Sequence, residues 1–384
     1  MKKKLAIICA SLEQMPLVQK AKEMGIETHC FAWDREDKKN DSICKAIADY
    51  FYPISIVEKE RILEVCQRIK VDGVTSVCND YAVATIAYIA ENMGLIGNRY
   101  EDSLISSNKY KARQAFLKGG ASSPRFVVAQ EGTVPDVTGF RYPLIVKPTD
   151  RCASIGVVKV ETEKELQEAI RNSQQLSFTG QAIIEEYVTG IEVSVETISW
   201  QGKHYNLTLT DKVTAGEPYY VEIAHHEPSV FSEEIQEKIK AEARKALTAV
   251  GVNYGASDTE IKITENGEVY VIEVNPRLGG DFSHDMVQLS TGYDFMKGVI
   301  DVALNQFEEP VITEQKYSGI YFLCKDAEWV KNAIENKEND PDIVAAELYN
   351  NGELRHLQSN MDRSGYFMYQ SAQRRDWERD YKKQ

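Results

Sequence analysis

Asp258-Thr-Glu-Ile-Lys-Ile263, followed by Glu265-Asn-Gly-Glu268 and then by Val271-Ile-Glu-Val-Asn-Pro-Arg-Leu-Gly-Gly280, is the stretch on which the reading of this chain turns. Apolar residues alternate over 259–264 and again over 269–274, so both segments are expected to be strands. The Asn-Gly between them favours a tight antiparallel connection. Glu260 and Glu273 then lie in one hairpin, and Glu273, Asn275 and Arg277, spaced two apart, share one face. Hard oxygen donors beside a fixed cation suit magnesium with phosphate, because Mg²⁺ takes one or two carboxylates and completes its shell with water and substrate phosphate. The same spacing also fits an edge hairpin whose acids are solvated.

Upstream of the hairpin, 143–147 reads as a strand ending in Lys147, with a second strand at 157–160 and a helix at 163–172. The loop between the strands, Pro148-Thr-Asp-Arg-Cys-Ala-Ser-Ile-Gly156, is rich in small residues that let backbone N–H groups close on phosphate. It is not a Walker loop, since Gly-x-x-x-x-Gly-Lys-Ser is absent. Ser106-Ser-Asn-Lys109 opens a helix that runs to Leu117. Strand signals recur at 181–188, 192–199 and 204–211, and a long amphipathic helix spans 232–250. The first hundred residues instead alternate strand and helix, at 4–10, 15–24, 27–32, 59–69, 73–77 and 81–92, which predicts a parallel, Rossmann-like lobe. Its first turn, Cys9-Ala-Ser-Leu-Glu-Gln14, lacks Gly-x-Gly-x-x-Gly, so an oxidoreductase reading loses its main support. The last eighty residues have weak periodicity and suggest no chemistry.

At 384 residues the chain is long enough for several lobes around a shared cleft. With 45 basic and 59 acidic residues its net charge of −14 disfavours a nucleic-acid partner. The apolar run 5–10 is too short for a signal peptide and reads as a first strand. No segment approaches a membrane span. Seven scattered cysteines without a Cys-x-x-Cys pair suit a reducing cytoplasm.

In this order the motifs resemble the ATP-grasp superfamily over roughly residues 1–305, and within it the bacterial L-amino-acid ligases. The resemblance implies an α/β protein with an N-terminal Rossmann-like lobe (1–105), a small α+β lobe with the phosphate loop (106–185), a large α+β lobe with the metal hairpin (186–305) and a small C-terminal α+β region (306–384), ATP lying between the two α+β lobes. Lys109 and Lys147 would contact the nucleotide phosphates, and Ser154 falls in the flexible phosphate loop. Ile184-Glu-Glu-Tyr-Val188 would pair with adenine, with Glu185 near its amino group and Glu186 and Val188 in the same segment, and Glu192 would bind the ribose. Glu260, Glu273 and Asn275 would hold Mg²⁺, with Mn²⁺ as an alternative, and Arg277 would steady the carboxylate and the tetrahedral adduct. Glu222 and His225, in Glu222-Ile-Ala-His225, match a substrate-binding motif. The resemblance departs at Asp258, where many relatives carry histidine, and at Asp281, where some dipeptide ligases place a bulky aromatic group.

The activity implied is an ADP-forming ligase that activates a small carboxylate as an acyl phosphate and joins it to an amine, acting in the cytoplasm, with a homodimer as the assembly considered. A biotin-carboxylase-like or carbamoyl-phosphate-synthase-like enzyme and a non-catalytic ATP sensor are the competing readings. Glu222 and His225 are the candidates for the base that takes the amine proton. A carboxylate at Asp281 is costly to desolvate unless it meets a cation, so it is expected to receive a substrate amino group, or else to cap a helix.

Overall fold

A computed structural model describes residues 2–152, 155–217, 219–349 and 352–382. The N-terminal lobe is built from β1 (Lys4–Ile8), α1 (Met15–Glu23), β2 (Glu27–Ala32), β3 (Tyr50–Pro53), α2 (Lys59–Ile69), β4 (Gly73–Thr75) and α3 (Asp80–Met93). Its four strands are parallel in the order β3-β2-β1-β4, as the alternation of strand and helix requires. Two helices, α4 (Tyr100–Ser106) and α5 (Lys109–Gly119), lead out of this lobe. Asn108 caps α5 by accepting from the backbone N of Lys111.

The small lobe comprises β5 (Phe126–Ala129), β6 (Leu144–Pro148), β7 (Val158–Val160), α6 (Glu163–Leu176) and β8 (Ala182–Glu186), with an antiparallel sheet ordered β5-β8-β6-β7. The large lobe follows with β9 (Ile191–Trp200), β10 (Lys203–Thr214), β11 (Glu222–Glu227), α7 (Glu233–Ala249), β12 (Gly255–Ile263), β13 (Val269–Asn275), α8 (Ser283–Thr291) and α9 (Phe295–Ala303). The chain ends in β14 (Tyr317–Phe322), α10 (Val330–Glu335), β15 (Ile343–Leu348), β16 (Gly365–Ser371) and α11 (Trp377–Lys382). This last segment is α+β, and its strands extend the sheet of the large lobe, giving an antiparallel sheet of eight strands ordered β13-β12-β9-β10-β11-β14-β16-β15. Its strands were hidden in the sequence because β14 and β16 are buried on both faces and so lack the alternation of a half-exposed strand.

The two faces of this sheet differ in kind. One carries Val193, Val195, Leu209, Ile261 and Val271, which pack with Ile239, Ala243 and Leu247 of α7. On the other, cross-strand registers place Asn275, Asp258, Glu196 and Thr208 in one row, and Glu273, Glu260 and Ser194 in the next. Because strand side chains alternate, the apolar residues that hold α7 also force every second residue of the same strands onto the polar face. Among the described residues, no helix is long and apolar enough to cross a membrane.

Candidate active site

Glu260 and Glu273 face each other across β12 and β13, with Asn275 at the end of the hairpin. The Glu273 carboxylate accepts an ion pair from Lys109 Nζ at 2.8 Å, and the same ammonium donates to the carbonyl of Arg151 in the phosphate loop at 2.6 Å. Lys212 of β10 reaches Glu260 at 3.0 Å, Glu192 at 3.1 Å and Glu222 at 3.3 Å, with its side chain only 7% exposed. Although burial opposes its charge, Glu260, Glu192 and Glu222 hold Lys212 protonated far above the usual range. Burial raises the Glu260 carboxyl to about 7; Lys212 opposes the rise, while Glu192, Asp258 and Glu273 add to it. Glu273 goes the other way: despite its burial, Lys109 keeps its carboxylate below the ordinary range.

Among the described residues no group of three His, Cys, Asp or Glu side chains is disposed to hold a metal ion. The donor set of the hairpin is instead two carboxylates and an amide oxygen, which suits a hard cation that also binds phosphate. Glu260, raised by burial first and then by Glu192, Asp258 and Glu273, would be relieved by such a cation, so the donor set Glu260, Glu273 and Asn275 fits magnesium. A cavity of about 220 Å³ opens beside them, lined by Lys109, Arg151, Cys152, Phe178, Glu273 and Asn275.

At the base of the small lobe, Glu185 lies between Arg113 Nε at 2.6 Å and Lys147 Nζ at 2.8 Å, all three buried. Burial would raise the Glu185 carboxyl, but Arg113 and Lys147 pull it down to about 2. Lys147 is lowered by burial, an effect that Arg113 and Lys109 reinforce and Glu185 only partly offsets. The carboxylate expected beside the adenine amino group is thus already engaged by two cations of the chain. Its neighbour Glu186 accepts from Arg141 Nε at 3.2 Å and Nη2 at 3.0 Å. Val188 is half-buried in the connection to β9. Ser154 lies outside the described residues. Gly156 closes the loop between β6 and β7 at φ +74, where a Cβ would stand 2.8 Å from Leu176 and 2.9 Å from Pro148, so glycine alone fits this return.

The third part of the site is assembled across lobes. Arg277 Nε donates to Asp80, the first residue of α3, at 2.8 Å, and Nη1 lies 3.5 Å from Asp258. Burial disfavours its charge, yet Asp80 and Asp258 hold the guanidinium firmly protonated. Beside Asp258, burial first and then Asp258 itself push Glu196 well above the carboxylate range. Asp281 meets a cation, as its burial demands, but a cation of the chain: Arg363 donates to it at 2.6 and 2.9 Å. His225 Nε2 approaches the same carboxylate at 3.2 Å. Nor does Asp281 cap a helix, for the N-cap position of α8 is Phe282 and no side chain caps it. Despite burial, Arg363 and His225 hold the Asp281 carboxyl far below its ordinary value.

The structure therefore brings Lys109, Glu273 and Asn275 to the wall of one cavity, sets Glu260 opposite Glu273 and Arg277 next to Pro276 of that wall, and links Glu192 and Glu222 to Glu260 through Lys212. His225 and Asp281 form a second group with Glu222. Lys212, Arg113, Asp80, Glu196 and Arg363 were not singled out in the sequence. A parity count could have found two of them: Glu192, Ser194 and Glu196, like Thr208, Thr210 and Lys212, occupy every second position of otherwise apolar strands. Arg363 has no such signal.

Residues 140–285 match the profile of a family described as the ATP-grasp domain. Over 301 residues the chain is 27% identical to an alanine–anticapsin ligase of Bacillus amyloliquefaciens, covering 69% of this chain and 63% of that protein. It is also 27% identical over 209 residues to a D-alanine–D-alanine ligase of Geobacter sulfurreducens, covering 51% of this chain and 63% of that one. The chain thus matches a little under two thirds of the length of these curated relatives. Among solved structures, an L-amino acid ligase from Bacillus licheniformis superposes with a TM-score of 0.81 at 24% identity, covering 100% of this chain and 96% of that one. A phosphoribosylglycinamide synthetase from Anaerococcus prevotii gives 0.77 at 22% identity, covering 97% and 95%.

Proposed function

We propose that this chain, an ATP-grasp protein by its fold and by residues 140–285, is an ATP-dependent, ADP-forming ligase that joins a small carboxylate, of the amino-acid class, to an amine. The observation that carries this reading is the meeting of opposite charges at one cavity: Glu273 and Asn275 of the hairpin in its wall, Lys109 bridging Glu273 to the loop after β6, and Arg277 held by Asp80 next to Pro276 of that wall. The alanine–anticapsin and D-alanine–D-alanine ligases it resembles act, by name, on amino acids.

A carboxylate does not expel oxide, so transfer of the γ-phosphoryl group of ATP supplies a leaving group in the form of an acyl phosphate. Lys109 and Lys147 neutralise charge on the phosphoryl group as it moves, a role for preorganised cations in a site sheltered from water. Glu260, Glu273 and Asn275 would hold magnesium, which when bound supplies further charge neutralisation and a template for the phosphates. Arg277, locked between Asp80 and Asp258, steadies the carboxylate and then the oxyanion formed when the amine attacks. The turn formed by β6, the loop and β7 covers the intermediate and excludes water, which would otherwise hydrolyse it. The nucleotide contacts of Glu186, Val188, Glu192 and Ser154 belong to the same reading.

The test is ADP release from the purified protein with ATP, magnesium and a panel of amino acids offered singly and in pairs. A ligase gives ADP that depends on both a carboxylate and an amine, together with a new amide detected by mass. ATP binding without ADP release under any pair would establish a sensor and end the ligase reading.

A further inference from the structure

Arg363 is 6% exposed and spends its whole fork on two partners. Nη1 and Nη2 donate to the two oxygens of Asp281 at 2.6 and 2.9 Å, while Nε and Nη2 donate to the carbonyl of Glu222 at 3.2 and 2.8 Å. The guanidinium stacks 3.6 Å above the Phe322 ring of β14. One residue of the last eighty thus ties the start of β11 to the segment that follows Arg277. The backbone there is strained: Asp281 and Phe282 both have positive φ, +52 and +62, and Phe282 is held against Tyr366 of β16 at 4.5 Å. Strain of this kind persists only where the surroundings over-determine it, and here they aim one carboxylate.

The target of that carboxylate is His225. Ionised Asp281 can only accept, so the 3.2 Å contact requires His225 Nε2 to carry the hydrogen; in the neutral imidazole the lone pair is then on Nδ1. Nδ1 is buried and has no hydrogen-bond partner among the described residues. An unpartnered buried nitrogen costs about 1–3 kcal/mol. His225 stands directly opposite Lys212 in the register of β10 and β11, so both side chains leave the same face of the sheet, the face that carries Glu260. A base whose far nitrogen is fixed by a carboxylate, itself fixed by a third group, is the arrangement by which an imidazole is set up to take a proton.

We propose that Arg363 is a positioning residue for amide formation: through Asp281 it fixes the tautomer and orientation of His225, whose Nδ1 takes the proton of the attacking amine. The proposal rests on the ligase reading above. The amine nitrogen donates its lone pair to the acyl carbon, forming the C–N bond. The C–O bond to phosphate breaks and phosphate leaves with that electron pair. The extra proton on nitrogen passes to Nδ1 and from there to water, so the step needs no further reactant.

The experiment separates acyl-phosphate formation from proton removal. Hydroxylamine traps an acyl phosphate as a hydroxamate and depends little on a base, because its protonated adduct is acidic enough to lose the proton to water. Arg363→Met is expected to form hydroxamate from the preferred carboxylate at the wild-type rate, yet to form amide with the amino-acid amine about 10²-fold more slowly, the usual worth of a general base. Arg363→Lys keeps the charge but not the two-pronged fork, so it should fall between the two and serves if the Met variant does not fold, as judged by circular dichroism. Equal loss of hydroxamate and amide in the folded variants, or no loss of either, overturns the proposal. Absence of hydroxamate with the wild-type protein and every carboxylate would overturn the ligase reading itself, and that result is distinct from either.

Discussion

At the base of the small lobe one carboxylate, Glu185, sits between two cations, Arg113 and Lys147; on the large sheet one cation, Lys212, sits among three carboxylates, Glu192, Glu222 and Glu260. Glu185, Arg113 and Lys147 are buried, whereas the acids around Lys212 keep 22–25% of their side chains exposed; in both clusters burial alone would raise the carboxyl concerned, Glu185 or Glu260. The outcome nevertheless has opposite sign, since Glu185 is drawn down to about 2 and Glu260 is pushed up to about 7. What differs is stoichiometry. A positive remainder around Glu185 favours an anionic guest, and a negative remainder around Lys212, to which Glu260 of the hairpin belongs, favours a cationic one. The two surpluses thus lie where phosphate and magnesium would have to lie in the proposed reaction.

The sharpest way to break this comparison is to make the same isosteric change on both sides. Glu185→Gln strands two buried cations without a counter-charge, and removing one partner of a buried pair typically costs about 3–5 kcal/mol. Urea denaturation at pH 7 should show that loss, and a change below 1 kcal/mol would mean that the cluster is not the closed unit described. The pH dependence follows from the sign of the shift. The folded value of about 2 lies below the ordinary 4.5, so the stabilisation by Glu185 is complete above 4.5 and disappears as pH falls towards 2. The Gln variant should lack that acid-side loss.

Next in size is an effect on turnover rather than on folding. Glu273→Gln keeps the shape of the proposed magnesium ligand and removes its charge, and it also releases Lys109 from its 2.8 Å partner. ADP formation should fall by about 10²–10³, the scale seen when one preorganised electrostatic group is lost, while the thermal midpoint moves little. Turnover near that of the wild type at saturating magnesium would remove Glu273 from the metal set.

Legibility in the sequence followed physics of the same kind. The hairpin of β12 and β13 was readable because Asn266-Gly267 and the period of two name a turn and two half-buried strands, and Glu260 does pair with Glu273 in register. The parallel N-terminal lobe and α7 were readable for the equivalent reason, a clear period. Lys212 was not, since a lysine on a strand reads as solvated until the acids of three other strands, β9, β11 and β12, are known to converge on it. Arg113 was hidden on a helix of ordinary polarity, its burial arising from β8 and β13 packing above it. For Asp281 the need for a cation was legible but not its source: Arg363 lies 82 positions away, among strands whose two-sided burial erases their pattern.

The smallest effect is the most discriminating, because its sign is reversed. Glu260→Gln removes one of three acids crowded around Lys212, and the remaining two, Glu192 at 3.1 Å and Glu222 at 3.3 Å, still satisfy the ammonium. Its folded value of about 7 stands above the ordinary 4.5, so the contribution of wild-type Glu260 is fully present below 4.5 and is lost as pH rises through 7. Glu227, also raised to about 7 by burial, changes in the same direction in both proteins and cancels in the difference. Without magnesium or nucleotide, the Gln variant should therefore match the wild type at pH 5 and exceed it at pH 8 by about 1 kcal/mol, as replacing strained buried charge often does. Urea midpoints at the two pH values measure this directly. Saturating magnesium with nucleotide should close or reverse the gap, because only the wild type gains from binding the cation. A Gln variant less stable than the wild type at pH 8 without ligand would show that Lys212 needs all three acids, and the negative surplus on which the contrast between the two clusters depends would not exist.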